Sequence, residues 1–199
     1  MGTVDKLVLE AEDVAAAELF YKALGVTDHV EVRSSAAATA GFRGFTVSLV
    51  CSQPGNVDAF VSAALDAGAT AVKPATKSFW GYGAVLQAPD GTLWKVAASS
   101  KKDSAPAEQV FEDLVLLLGV ADVKATKQFY ADRGLGVAKS FGSRYVEFDA
   151  SPVKLALYGR KAAAKDAGVS PEGSGSHRLA VAGSLGGFTD PDGFVWEAR

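Results

Sequence analysis

The chain has 199 residues, 48% hydrophobic and 22% charged, with 20 Lys+Arg against 23 Asp+Glu and a formal net charge of −3. That balance, with no basic stripe, excludes an electrostatic footprint for nucleic acid; no apolar run approaches the roughly 18–20 residues of a membrane span, and the N-terminus has no apolar signal-peptide core. The single cysteine, Cys51, excludes an intrachain disulfide and a cysteine-rich metal cluster, so a reduced, cytoplasmic globular protein is expected.

Alternation over 6–12 places Leu7, Leu9 and Ala11 on one face of a strand and Lys6, Val8 and Glu10 on the other. Asp13 is a natural N-cap for a helix over 14–24, whose apolar stripe runs through Val14, Ala17, Phe20, Tyr21 and Leu24 and which Gly25 closes. Strands follow at 29–33 and 45–51, then an amphipathic helix at 57–67 closed by Gly68. A type I turn at Pro89-Asp90-Gly91 makes the end of this stretch a hairpin. Residues 99–108, SSKKDSAPAE, have the composition of a linker.

Beyond it the pattern returns: a strand at 114–120, a helix at 122–133 and strands at 144–148 and 153–158. A shorter segment, 161–167, and a Gly/Ser-rich loop at 172–176 replace the long second helix. EDVAAAELFYKALGV from Glu12 matches ADVKATKQFYADRGLGV from Ala121, and APDGTLWKVA from Ala88 matches DPDGFVWEA from Asp190. Two motifs recurring in the same order mark a tandem repeat. The expected fold class is α+β: two tandem βαβββ modules, 1–100 and 108–199, whose sheets pair into a cup-like half-barrel with helices outside.

The Asp-Val helix start, the Phe-Tyr and Leu-Gly of the helix and the closing Asp-Pro-Asp-Gly hairpin resemble the vicinal oxygen chelate superfamily, which includes glyoxalases, bleomycin- and fosfomycin-resistance proteins and extradiol dioxygenases. The resemblance spans nearly the whole chain. It implies metal ligands seven residues before each helix-capping aspartate and five after the second aspartate of each turn. Here those positions hold Lys6, Lys95, Val115 and Glu197. Only Glu197 can ligate a divalent ion, and an ammonium repels one. No metal and no cofactor are therefore expected at the family's usual place.

If Lys6 faces the cup, as the resemblance implies, period two turns Glu10 there as well, and Lys95 and Glu197 join from the closing strands. Such a cluster either pairs with itself or forms a polar floor that orients a ligand's carbonyl, hydroxyl or acid group, with Glu197 the candidate catalytic base. Phe79, Trp80 and Tyr82, on the glycine-hinged segment KSFWGYG, are candidates for an aromatic wall against a planar ligand. Trp94, Trp196 and the Phe-Tyr pairs read as core, Cys51 as a buried thiol, and His29 and His177 as surface residues. The resemblance thus points to a glyoxalase- or bleomycin-resistance-like protein that binds a small organic ligand, as a monomer or homodimer. The alternatives are a glyoxalase-like lyase or isomerase using Glu197, and a non-catalytic interaction protein with a degenerate cup.

Overall fold

The computed structural model describes residues 2–199. In chain order the elements are β1 (Val4–Ala11), α1 (Val14–Ala23), β2 (Val30–Ser34), β3 (Thr39–Gly41), β4 (Phe45–Cys51), α2 (Pro54–Asp66), β5 (Thr70–Ser78), β6 (Gly81–Gln87) and β7 (Leu93–Ala98). After the linker come β8 (Asp113–Val120), α3 (Val123–Ala131), β9 (Gly136–Phe141), β10 (Tyr145–Asp149), β11 (Val153–Gly159) and α4 (Arg160–Ala167). The chain finishes with β12 (Gly173–Gly175), β13 (Leu179–Gly183), β14 (Phe188–Thr189) and β15 (Val195–Ala198).

Local chemistry sets the helix ends. Asp13 Oδ1 accepts from the Ala16 amide at 3.0 Å, and Asp122 Oδ1 accepts from the Lys124 and Ala125 amides at 2.9 and 3.0 Å, so each aspartate satisfies first-turn donors that the helix leaves open. α2 begins three residues earlier than its apolar stripe suggests, because Pro54 fits the first turn, where a missing N–H costs nothing.

The strands form an eight-stranded sheet in the order β5-β6-β7-β4-β8-β11-β10-β9, a five-stranded sheet β14-β15-β13-β1-β2 and a short ribbon β12-β3. The expected α+β class is present. The modules are expected at 1–100 and 108–199, whereas strand order groups complete βαβββ units at 45–98 and 113–159, joined by the antiparallel pair β4–β8, with β1, β2 and β13–β15 in the smaller sheet. The smaller sheet is centred on the antiparallel pair β1–β13.

One main hydrophobic core holds the two sheets together. Leu7, Leu9, Val181 and Trp196 from the smaller sheet belong to the same buried cluster as Val47, Leu49, Leu116 and Trp94 from the larger. α1 packs on β1 and β2 while its Tyr21 meets Trp94, and α3 packs on β10 and β11 while its Tyr130 meets Trp196. Both helices therefore lie between the sheets, and each sheet turns its other face outward.

On the larger sheet that outward face is partly filled. Ala163, Ala164 and Ala167 of α4 pack against Leu117, Val85 and Leu93, which alternate with the core-facing residues of their strands. Lys95 pairs with Asp166 of α4 at 2.7 Å, and Lys73 donates to the carbonyls of Lys165 and Asp166 at the helix C-terminus.

Candidate functional site

The outward face of the five-stranded sheet carries the candidate site. Register places Lys6 opposite Ala182 and Ala182 opposite Glu197, while Val8 lies opposite Ala180 and Glu10 opposite Arg33. With a side-chain period of two, all of these share the face opposite Leu7 and Leu9. Arg33 organises them. Its Nη2 donates to Glu10 Oε1 and its Nη1 to Glu197 Oε1, both at 2.8 Å.

Arg33 stands on β2 and Glu197 on β15, with β1 and β13 between them. Strands lie about 4.8 Å apart, so a flat sheet would separate these backbones by about 14 Å. A bond across that span means the sheet curls towards its outward face. The residues beneath are small: Val8, Ala180 and Ala182 form a separate buried cluster under the bridging side chains. Both carboxylates hold the guanidinium in its charged form and raise its pKa, Glu197 more than Glu10.

Beside this bridge lies a pocket of about 310 Å³, lined by Glu10, Arg33, His177, Ala180 and Val195 and by Gly175 and Ser176 of the loop above them. Arg178 fixes its edge. Buried, and in the left-handed region at φ +52°, it donates to the carbonyls of Ser35 and Ala37 and to Glu12 Oε1. His177 is half-buried rather than a surface residue. Its ring stacks on Phe194 at 4.1 Å, Nδ1 meets the Arg43 carbonyl and Nε2 the Asp192 carbonyl at 3.1 Å.

The structure brings Glu10 and Glu197 together through one guanidinium. Lys6 shares their face and joins no ion pair among the described residues. Lys95 does not join them: β7 belongs to the larger sheet, where Lys95 faces Asp166. The aromatic segment is also elsewhere. β5 and β6 extend until Phe79 and Trp80 form only the hairpin turn, 83% and 84% exposed, and Tyr82 donates to Asp58 of α2 at 2.7 Å. That turn is tight because Gly81, at φ +140°, lies against the Ala98 carbonyl where a Cβ would clash. Arg33 was not singled out from the sequence. Its only signal there was a lone guanidinium on a short predicted strand, and its partners become visible once β2 is known to lie beside β1.

The residues at the four positions implied for metal ligands do not suit a divalent ion. Lys6 and Glu197 lie on one sheet, Lys95 and Val115 on the other, and Glu197 is already bonded to Arg33. Among the described residues no three His, Cys, Asp or Glu side chains converge. Cys51 is buried, and desolvation pushes its thiol up to about 11, away from a ligating thiolate. No helix is long and apolar enough to cross a membrane.

No family model and no curated protein matches the chain. Solved structures do. Glyoxalase I from Zea mays is 14% identical, with a TM-score of 0.62 over 100% of this chain and 92% of that one. A variant of the same enzyme is 13% identical, with a TM-score of 0.63 over 99% and 93%. At such identities the likeness is one of architecture, and it runs from end to end: the chain has the fold of glyoxalase I.

Proposed function

We propose that the protein binds a small organic ligand in the pocket beside the Glu10–Arg33–Glu197 bridge, without a metal ion. The observation that carries this reading is the bridge itself. A guanidinium stands at the centre of the curled face, where it can offer donors to a carbonyl, hydroxyl or acid group. Val195 and Ala180 supply apolar contact in the same pocket. The reading extends to a cytoplasmic protein built as a tandem repeat, which the matching aspartate caps of α1 and α3 support.

The test is thermal-shift titration of the full chain with a panel of small molecules carrying carbonyl, hydroxyl or acid groups. At least one saturable rise in Tm is expected, and Arg33→Ala removes it. No shift across the panel, or no shift that Arg33→Ala removes, would overturn the reading. A proton-transfer role for Glu197 requires Arg33 to release that carboxylate, and isomerisation of a carbonyl compound that Glu197→Gln abolishes would be its signature.

A further inference from the structure

A second cavity, of about 260 Å³, lies on the other side of the β3–β12 ribbon, where the β3–β4 loop, the β6–β7 hairpin and the segment after α4 meet. Gly41 and Glu172 line it, whereas Gly175 lines the pocket described above, so the ribbon stands between the two. Its walls are apolar on several sides, from Phe42, Phe45, Leu93 and Val169.

Arg43 also lines it, and this guanidinium is short of partners. Nη2 donates to the Asp90 carbonyl at 2.7 Å, Nη1 is buried with no hydrogen bond, and no ion pair reaches the side chain among the described residues. Thr92, 1% exposed, lines the same cavity, with its hydroxyl turned inward towards the Tyr21 phenol. Gly91 makes the arrangement possible, because a Cβ there, at φ +86°, would run into the Arg43 guanidinium. Glu172 at the cavity is exposed and free to turn to solvent.

Buried cations are normally matched by carboxylates, because an unmatched one forfeits hydration without compensation. Asp90 acts on Arg43 only from beyond ion-pair distance, and a directly bonded carboxylate is what a ligand can bring. We infer that this cavity is a binding site for a small amphipathic organic acid, with the carboxylate on the Arg43 guanidinium and the apolar body against Phe42, Leu93 and Val169. A planar guanidinium matches a carboxylate with two parallel hydrogen bonds. The cavity is at the small end of ligand pockets, which limits the body to about one ring or a short branched chain. Burial lowers the pKa of Arg43, and the Asp90 carboxylate nearby offsets part of that without forming an ion pair.

The probe is benzoate, titrated calorimetrically into the full chain, with benzyl alcohol as its uncharged analogue and inorganic phosphate as an anion without an apolar body. Saturable benzoate binding at millimolar or lower concentration is expected, at least tenfold tighter than benzyl alcohol and not displaced by an equal concentration of phosphate. Arg43→Gln should weaken it tenfold or more. Val169→Trp, at a half-exposed position, should block it by filling the cavity even if the Arg43 variant fails to fold, while Val169→Ala should retain it. Arg33→Ala should leave it unchanged, which separates this site from the pocket on the smaller sheet. Absence of binding, equal binding of benzyl alcohol, displacement by phosphate, indifference to Val169→Trp or loss in Arg33→Ala would each overturn the inference.

Discussion

Tyr130 donates a 2.7 Å hydrogen bond to Asp190, the aspartate ahead of the proline in the last turn. Tyr21, its counterpart in α1, reaches instead the aspartate after the proline, Asp90, at 2.6 Å. Position 88 is alanine where the later motif has Asp190, so the two matching tyrosines find their acceptors at different places in matching turns. Trp196 Nε1 donates to the Tyr130 hydroxyl at 3.1 Å, whereas Trp94 Nε1 approaches the Tyr21 hydroxyl without the geometry of a full hydrogen bond. Burial raises the pKa of both phenols and of Asp190, so each phenol remains a donor.

Tyr130→Phe should therefore cost more than Tyr21→Phe. The first leaves both an Asp190 oxygen and the Trp196 indole without their partner; the second removes the Asp90 bond and only weaker approaches to Thr92 and Trp94. A loss of about 2–3 kcal/mol is expected for Tyr130→Phe and about 1–2 kcal/mol for Tyr21→Phe, read from urea unfolding midpoints at constant m. Equal losses would mean that the indole bond contributes nothing.

Arg33→Ala should barely change stability. The guanidinium side chain is 44% exposed and its partners 18% and 38%, so solvent screens the pairs and the expected change is under about 1 kcal/mol. A drop in Tm much larger than that would make the bridge a structural brace instead of a ligand contact.

Cys51 gives a pH signature. Its thiol titrates at about 11 in the fold against an ordinary value near 9. An acid whose folded pKa is raised contributes stability that is complete below the unfolded value and is lost as pH climbs to the folded one. Stability should fall between about pH 9 and 11, by on the order of 2 kcal/mol from this group, and Cys51→Ala should flatten that part of the curve relative to wild type. The native thiol should also resist alkylation at pH 8 and react once the protein is unfolded.

Gly119 sits under α4, and a Cβ added there meets the Gly44 carbonyl at 3.0 Å and the Ala163 Cβ at 3.2 Å. Gly119→Val should lift α4 from the larger sheet at a cost of about 1–3 kcal/mol. Loss of α4 helix protection in hydrogen exchange, ahead of global unfolding, would check it; unchanged exchange at Ala163 and Ala164 would sink it.

What the sequence made legible was local. Asp13 and Asp122 cap helices where their spacing to the apolar stripes demanded, and Leu7 and Leu9 face the core that their alternation assigned them. Trp94 and Trp196 are buried because each neighbours an outward residue on a strand. What stayed hidden depends on which strands pair. Lys6 and Lys95 hold two of the four positions that the resemblance brings to one cup, yet β1 and β7 enter different sheets, so Lys95 ends beside Asp166. Phe79 and Trp80 read as a loop because Gly81 and Gly83 follow them, but paired strands continue to both sides and leave only a turn. Arg33 acquires its role from two glutamates far away in sequence, a relation that no periodicity reports.

The pairings of β1 with β13 and of β4 with β8 also dictate an order of events at the ribosome. β1 waits for a neighbour, β13, that follows much later in the chain, and until then its partner within that sheet is β2 alone. An open strand edge held for that long invites pairing with other nascent chains. In cells, slower elongation between β11 and β13 should therefore lower soluble yield more than slowing at the linker does.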